Sequence, residues 1–75
     1  MKLPIVSGKE LIKFLHSRGF EITAHKGSHI RMKKRIGNVV LVTVVPLHKA
    51  LDPGTLLGIL RQCEIQKEDF IKNRQ

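Results

Sequence analysis

The stretch Phe20-Glu21-Ile22-Thr23-Ala24-His25-Lys26-Gly27-Ser28-His29-Ile30-Arg31-Met32-Lys33 decides the fold. Phe20, Ile22 and Ala24 alternate with Glu21, Thr23 and His25, the period of two of a half-buried strand. Lys26-Gly27-Ser28 interrupts the alternation and reads as a hairpin turn built on glycine. The pattern then resumes, with Ile30 and Met32 pointing inward and His29, Arg31 and Lys33 outward. The stretch therefore predicts two antiparallel strands. Ile22, Ala24, Ile30 and Met32 lie under the covering layer, while His25, His29, Arg31 and Lys33 share the open face beside Lys26.

Working outward, Lys34-Arg35-Ile36-Gly37-Asn38 reads as a second turn and residues 39–45 as a third strand. That strand is apolar on both faces, so periodicity does not set its phase. Its free edge is open to another chain. Pro46 ends it. Upstream, Ser7-Gly8-Lys9-Glu10 has the form of a capping box. Leu11, Phe14 and Leu15 follow at helical spacing, and Gly19 is a natural stop, which predicts a helix over residues 8–18. Downstream, Asp52-Pro53-Gly54-Thr55 is a helix start with Asp52 as N-cap and Pro53 in the first turn. Leu56, Ile59, Leu60 and Cys63 form its buried stripe, which assigns Cys63 to the core. A short last helix over residues 66–73 would cover one end with Phe70 and Ile71. The order is α-β-β-β-α with an extra C-terminal helix: an α+β two-layer sandwich forming a single domain over residues 1–75.

Seventy-five residues allow one modest core, and with only three phenylalanines among the aromatics that core must be mostly aliphatic. A domain of this size buries only about 60% of the surface its unfolded chain exposes, so its stability margin is thin. No apolar run approaches the roughly 20 residues of a membrane helix. The single cysteine excludes an internal disulfide, and with no signal-peptide pattern at the start a cytoplasmic location is expected. Fourteen Lys and Arg against six Asp and Glu give a formal charge of +8. No acidic residue lies between Glu21 and Asp52, whereas Lys26, Arg31, Lys33, Lys34, Arg35 and Lys49 do. Such a field concentrates polyanions: nucleic acid, or an acidic protein partner.

The open face joins histidine to cations, a seat for a phosphodiester backbone. RNA carries its own nucleophile in the 2′-hydroxyl. Cleavage then needs a base for that proton, an acid for the leaving oxygen and cations for the charge on phosphorus. Imidazole suits the proton transfers because its ordinary pKa, about 6.5, lies near neutrality. Gly27 would allow close backbone approach, and Ser28 could donate to a phosphate oxygen. An outward histidine beside a turn is more often an ordinary surface residue than a catalyst, so phase alone selects none of His16, His25, His29 and His48. No His, Cys and carboxylate grouping shows a metal-ligand spacing, and no P-loop or nucleophile elbow is present.

Taken together, Ser7-Gly8-Lys9-Glu10, Gly19-Phe20, Lys26-Gly27-Ser28-His29, Val45-Pro46-Leu47-His48 and Leu51-Asp52-Pro53-Gly54-Thr55-Leu56 with Ile59-Leu60-Arg61-Gln62 resemble the HicA (YcfA-like) toxins of bacterial toxin–antitoxin systems. The order and spacing of the set carry the resemblance, which spans nearly the whole chain. It implies a fold like the double-stranded RNA-binding domain. It also implies a metal-independent endoribonuclease that cleaves mRNA, needs no cofactor and is silenced by a HicB antitoxin. His29 matches the catalytic histidine of the Gly-Ser-His element; the open face itself, independently of the resemblance, offers Lys26, Gly27, Ser28, Arg31 and Lys33 as RNA contacts. His48 matches a recurrent position, with a structural or substrate-contact role. Relatives often carry Ala-Gly between the last two helices. Cys63-Glu64 stands there in this chain and removes a C-cap glycine.

Two other readings of the same residues stand beside the toxin. One is a module that holds duplex RNA by shape without cutting it. The other is an interaction protein whose basic face serves an acidic partner. In the toxin reading, the antitoxin is expected to present carboxylates to Arg31, Lys33 and Lys34 and to cover His29. Homodimers and toxin–antitoxin hetero-oligomers are both compatible with the apolar third strand.

Overall fold

Two-residue turns, Gly27-Ser28 and Gly37-Asn38, join three strands into an antiparallel sheet in the order β1-β2-β3. The computed structural model describes residues 3–73. Along them run α1 (Gly8–Ser17), β1 (Glu21–Lys26), β2 (His29–Ile36), β3 (Val39–Pro46), α2 (Pro53–Gln62) and α3 (Lys67–Asn73). Both turns are shorter than the sequence predicts. Lys26 pairs with His29 and Ile36 with Val39, so Lys34, Arg35 and Ile36 belong to β2. Gly27 takes φ +59 while Ser28 stays negative, the signature of a tight hairpin turn whose first residue must be glycine.

The helices cover one sheet face. Ile30 and Met32 of β2 and Leu41 and Val45 of β3 join Leu11, Phe14 and Leu15 of α1 and Leu56, Ile59 and Leu60 of α2 in one buried cluster. This sets the phase of β3, which its sequence leaves open: Leu41, Thr43 and Val45 face the helices, and Val40, Val42 and Val44 face away. Thr43 is buried, and its hydroxyl donates to Gln62 Oε1 at 2.7 Å, satisfying the polar group that the strand takes inside. Cys63 lies in the core as its helical spacing predicts, and burial pushes its thiol up to about 11, so it stays protonated near neutrality.

Both main helices begin as their sequences predict. The Ser7 hydroxyl accepts from Glu10 N–H while the Glu10 carboxylate accepts from Ser7 N–H, a complete capping box. Asp52 accepts from Thr55 N–H and from the Thr55 hydroxyl, and these bonds hold its carboxyl below the usual carboxylate range. The short α3 docks through Phe70, whose ring meets Phe14 edge-on at 4.8 Å, and through an Arg18–Asp69 ion pair at 2.8 Å. Arg18 holds the Asp69 carboxyl low as well.

The two helix ends make an instructive pair. After α1, Gly19 N–H donates to His16 O and Phe20 N–H to Leu15 O, with Gly19 at φ +94. After α2, Glu64 N–H donates to Arg61 O and Ile65 N–H to Leu60 O. The same cap is built, but here the left-handed position is held by Glu64 at φ +56. A side chain in that conformation costs about 1–2 kcal/mol, and the greater freedom of an unfolded glycine offsets part of the gain from removing it. Glu64→Gly is therefore expected to stabilise the domain by about 1 kcal/mol, raising Tm by roughly 4–8 °C for a chain of this size. Thermal unfolding followed by circular dichroism checks this. An unchanged or lower Tm would count against strain at Glu64.

Candidate active site on the open sheet face

The outer face of the sheet is built by alternation along β2. His29, Arg31, Lys33 and Arg35 are exposed there, between the buried Ile30 and Met32. Their cross-strand neighbours share the face, because directly opposed residues of an antiparallel pair project to the same side. On the β1 side these are Lys26 opposite His29, Ala24 opposite Arg31 and Glu21 opposite Lys33. On the β3 side they are Pro46, Val44, Val42 and Val40, opposite His29, Arg31, Lys33 and Arg35 in turn. One half of the face is thus a stripe of cations ending in an imidazole. The other half is a stripe of valines.

The ladder corrects the predicted phase of β1. Ile22 pairs with Met32 and Ala24 with Arg31, so Thr23 is an extra residue without a partner in β2, a β-bulge. Past the bulge every side chain changes sides. Ala24, expected in the core, lies exposed on the open face. His25, expected beside His29, stands opposite the buried Ile30 on the helix side of the sheet. Its Nε2–H donates to the Gly27 carbonyl at 3.0 Å, buttressing the turn. Ile22 keeps its inward phase but is 54% exposed, because β1 is an edge strand that the helices do not cover.

Of the residues singled out in the sequence, Lys26, His29, Arg31 and Lys33 come together on this face, and Gly27 and Ser28 form the turn at its His29 end. Lys34 does not join them. It alternates to the helix side, where its ammonium lies 5.8 Å from the centre of the Phe20 ring. Arg35 does join them and escapes the sequence reading, which ends the strand too early. The signal for it was the continued alternation Arg31, Lys33, Arg35. His16 is exposed on α1, away from the sheet ladder. Among the described residues no group of three or more His, Cys, Asp or Glu is placed to hold a metal ion.

The His29 end of the sheet is braced. Leu47 N–H donates to the Ser28 carbonyl at 2.7 Å, extending the β2–β3 ladder past His29 and Pro46. Gly8 N–H, at the start of α1, donates to the His48 carbonyl at 2.9 Å, and Leu51 N–H donates to the Val6 carbonyl at 2.8 Å. The loop after β3 is therefore tied on one side to the Gly27-Ser28 turn and on the other to the start of α1. A cluster of exposed cations and imidazole on a rigid frame can bind a polyanion and move protons at its backbone.

A family model described as the HicA toxin of bacterial toxin–antitoxin systems matches residues 8–65. Searches among curated proteins and among solved structures returned no significant match. The matched span holds α1, the whole sheet and α2, and with them every residue of the face described above. Among the described residues no helix is long and apolar enough to cross a membrane. With well over half its length matched, the chain belongs to the HicA toxin family of bacterial toxin–antitoxin systems.

Proposed function

We propose that this toxin is an endoribonuclease that cleaves mRNA at the open sheet face, with His29 as a proton-transfer group. The single observation that carries the reading is the stripe Lys26, His29, Arg31, Lys33 and Arg35, gathered on one exposed face beside a glycine turn. The cations take the phosphates and oppose the charge that builds on phosphorus. The substrate's own 2′-hydroxyl is the nucleophile, so the products are a 2′,3′-cyclic phosphate and a 5′-hydroxyl. Incubating the protein with an mRNA in chelator and analysing the new ends tests this. Cyclic phosphate ends support it, and an intact strand or 3′-hydroxyl ends refute it.

Phosphate contacts make affinity fall with salt, the logarithmic slope being about −0.7 per neutralised phosphate for single strands. Arg35→Ala is expected to weaken RNA binding and to flatten that slope by about 0.7. Lys34→Ala, on the other sheet face, should leave the slope unchanged. Titrations at several salt concentrations separate the two, and an equal effect of both would remove Arg35 from the contact surface.

The partner we propose is a HicB-type antitoxin seated on the same face. It would offer carboxylates to Arg31, Lys33 and Arg35 and apolar side chains to Val40, Val42 and Val44. The composite character of the face supports this, since valines gain little from a phosphate backbone but much from an apolar protein surface. The free edge of β3, uncharged over residues 39–45, is a second route by strand addition. The edge at β1, by contrast, carries a bulge and charged residues, which discourage pairing.

A further inference from the structure

Cleavage through a 2′-hydroxyl is an in-line displacement. The attacking 2′ oxygen and the departing 5′ oxygen stand on opposite sides of phosphorus, so one side chain cannot serve both at once. His29 alone leaves one proton transfer without a group. The ladder leads the chain of a second histidine toward the same end of the sheet. Beyond the His29–Pro46 pair, the Leu47 N–H bond to the Ser28 carbonyl carries the extended backbone one residue further. Leu47 turns its side chain onto the core. Alternation then places His48 on the side of Pro46, which is the side of His29. His48 is exposed there, as His29 is. Diagonal neighbours of this kind have their Cα atoms about 7–8 Å apart, within reach of long or aromatic side chains.

His48 is also held in position. Its carbonyl accepts from Gly8 N–H at 2.9 Å, and Pro46 beside it is buried. Gly8 itself leaves no slack: a Cβ there would stand 2.0 Å from the Pro46 carbonyl oxygen and 3.0 Å from Leu47 Cα. The first turn of α1 thus presses directly on the segment that carries His48. An exposed surface histidine has no need of such a frame, whereas a proton-transfer group does.

We propose that His48 is a second catalytic residue, dividing the proton transfers with His29. This rests on the endoribonuclease reading above. One neutral imidazole takes the 2′-hydroxyl proton as the new O2′–P bond forms. The other, as imidazolium, gives its proton to the 5′ oxygen as the P–O5′ bond breaks. The cyclic phosphate and the 5′-hydroxyl leave, and one proton exchanged between the two rings through solvent restores the starting state. Arg31 and Lys26, on the face beside them, oppose the charge on the phosphoryl oxygens.

The experiment compares wild type, His29→Ala and His48→Ala on two oligoribonucleotides. One is natural, and the other carries sulfur in place of the 5′ bridging oxygen at the cleaved bond. A thiolate leaves without a proton, so the sulfur substrate restores cleavage only to the variant that has lost the acid. His48→Ala should lose roughly 10²–10⁴-fold on the natural strand, the usual scale for one acid–base group. RNA affinity should stay within a few-fold, and circular dichroism should be unchanged because the anchor of this segment is a backbone carbonyl. One of the two variants, and one only, should recover on sulfur. A wild-type rate for His48→Ala overturns the proposal while the endoribonuclease stands, as does loss without sulfur rescue of either variant. An inactive wild type overturns the endoribonuclease reading itself.

Discussion

His29→Ala is expected to lower the rate of RNA cleavage by roughly 10²–10⁴-fold while RNA affinity stays within a few-fold. The side chain is exposed at the start of β2, so its removal should change stability by less than about 0.5 kcal/mol. In the proposed reading affinity rests on Lys26, Arg31, Lys33 and Arg35, which the change does not touch. His25→Ala is the matched control. It removes one exposed hydrogen bond to the Gly27 carbonyl on the other side of the sheet and should leave cleavage near wild type. Single-turnover rates beside filter-binding affinities measure both effects. If His29→Ala cut RNA at the wild-type rate, or if His25→Ala lost as much, the assignment would fail.

Gly8→Ala is expected to be the most damaging single-methyl change in the protein. The added Cβ would sit 2.0 Å from the Pro46 carbonyl oxygen, 2.9 Å from its carbon and 3.0 Å from Leu47 Cα, all of them backbone atoms. Relief requires α1 to move away from the end of β3, which also stretches the Gly8 N–H bond to the His48 carbonyl. Overpacking of this kind typically costs about 1–3 kcal/mol, and contact with backbone on the receiving side places this case near 3. For a domain of this size that is a fall in Tm of roughly 12–24 °C. Alanine's better helix propensity recovers less than about 1 kcal/mol and does not change the sign. Gly58→Ala, in α2 with nothing within 4 Å of the new methyl, is the contrast: helix propensity acts alone and Tm should rise. Equal behaviour of the two variants in thermal melts would show that the α1–β3 contact is not tight. Because Gly8 braces the loop that carries His48, its variant should also lose cleavage at temperatures where it is still folded.

Much of the architecture was legible because it is written locally. Ser7 and Glu10 satisfy each other across one turn, Asp52 caps the amide three residues on, and Leu56, Ile59, Leu60 and Cys63 recur at the helical period. Ile30 and Met32 alternate with His29, Arg31 and Lys33 over a strand with no irregularity, so the outward phase of the site's central strand was readable as well. The C-terminal helix followed from Phe70, which needed an apolar neighbour and found Phe14.

The rest depended on partners distant in the chain. Alternation alone sets both faces of a strand only while the ladder is regular, and the bulge at Thr23 is a property of the pairing with Arg31 and Met32, not of β1 itself. It exchanged Ala24 and His25 between the faces. Residues 39–45 carry no polarity contrast, so which valines meet water was decided by where α1 and α2 lie. The extent of β2 was decided by its partner too: Val39 and Val40 pair with Ile36 and Arg35 and draw them into the sheet. What the sequence by itself determined is the set of elements and the outward imidazole at His29, because capping and periodicity act within a few residues. Only the tertiary structure decided which groups stand around that imidazole: Arg35 joins the cation stripe while His25 and Lys34 leave it, because register is set between segments that meet only when the chain has folded.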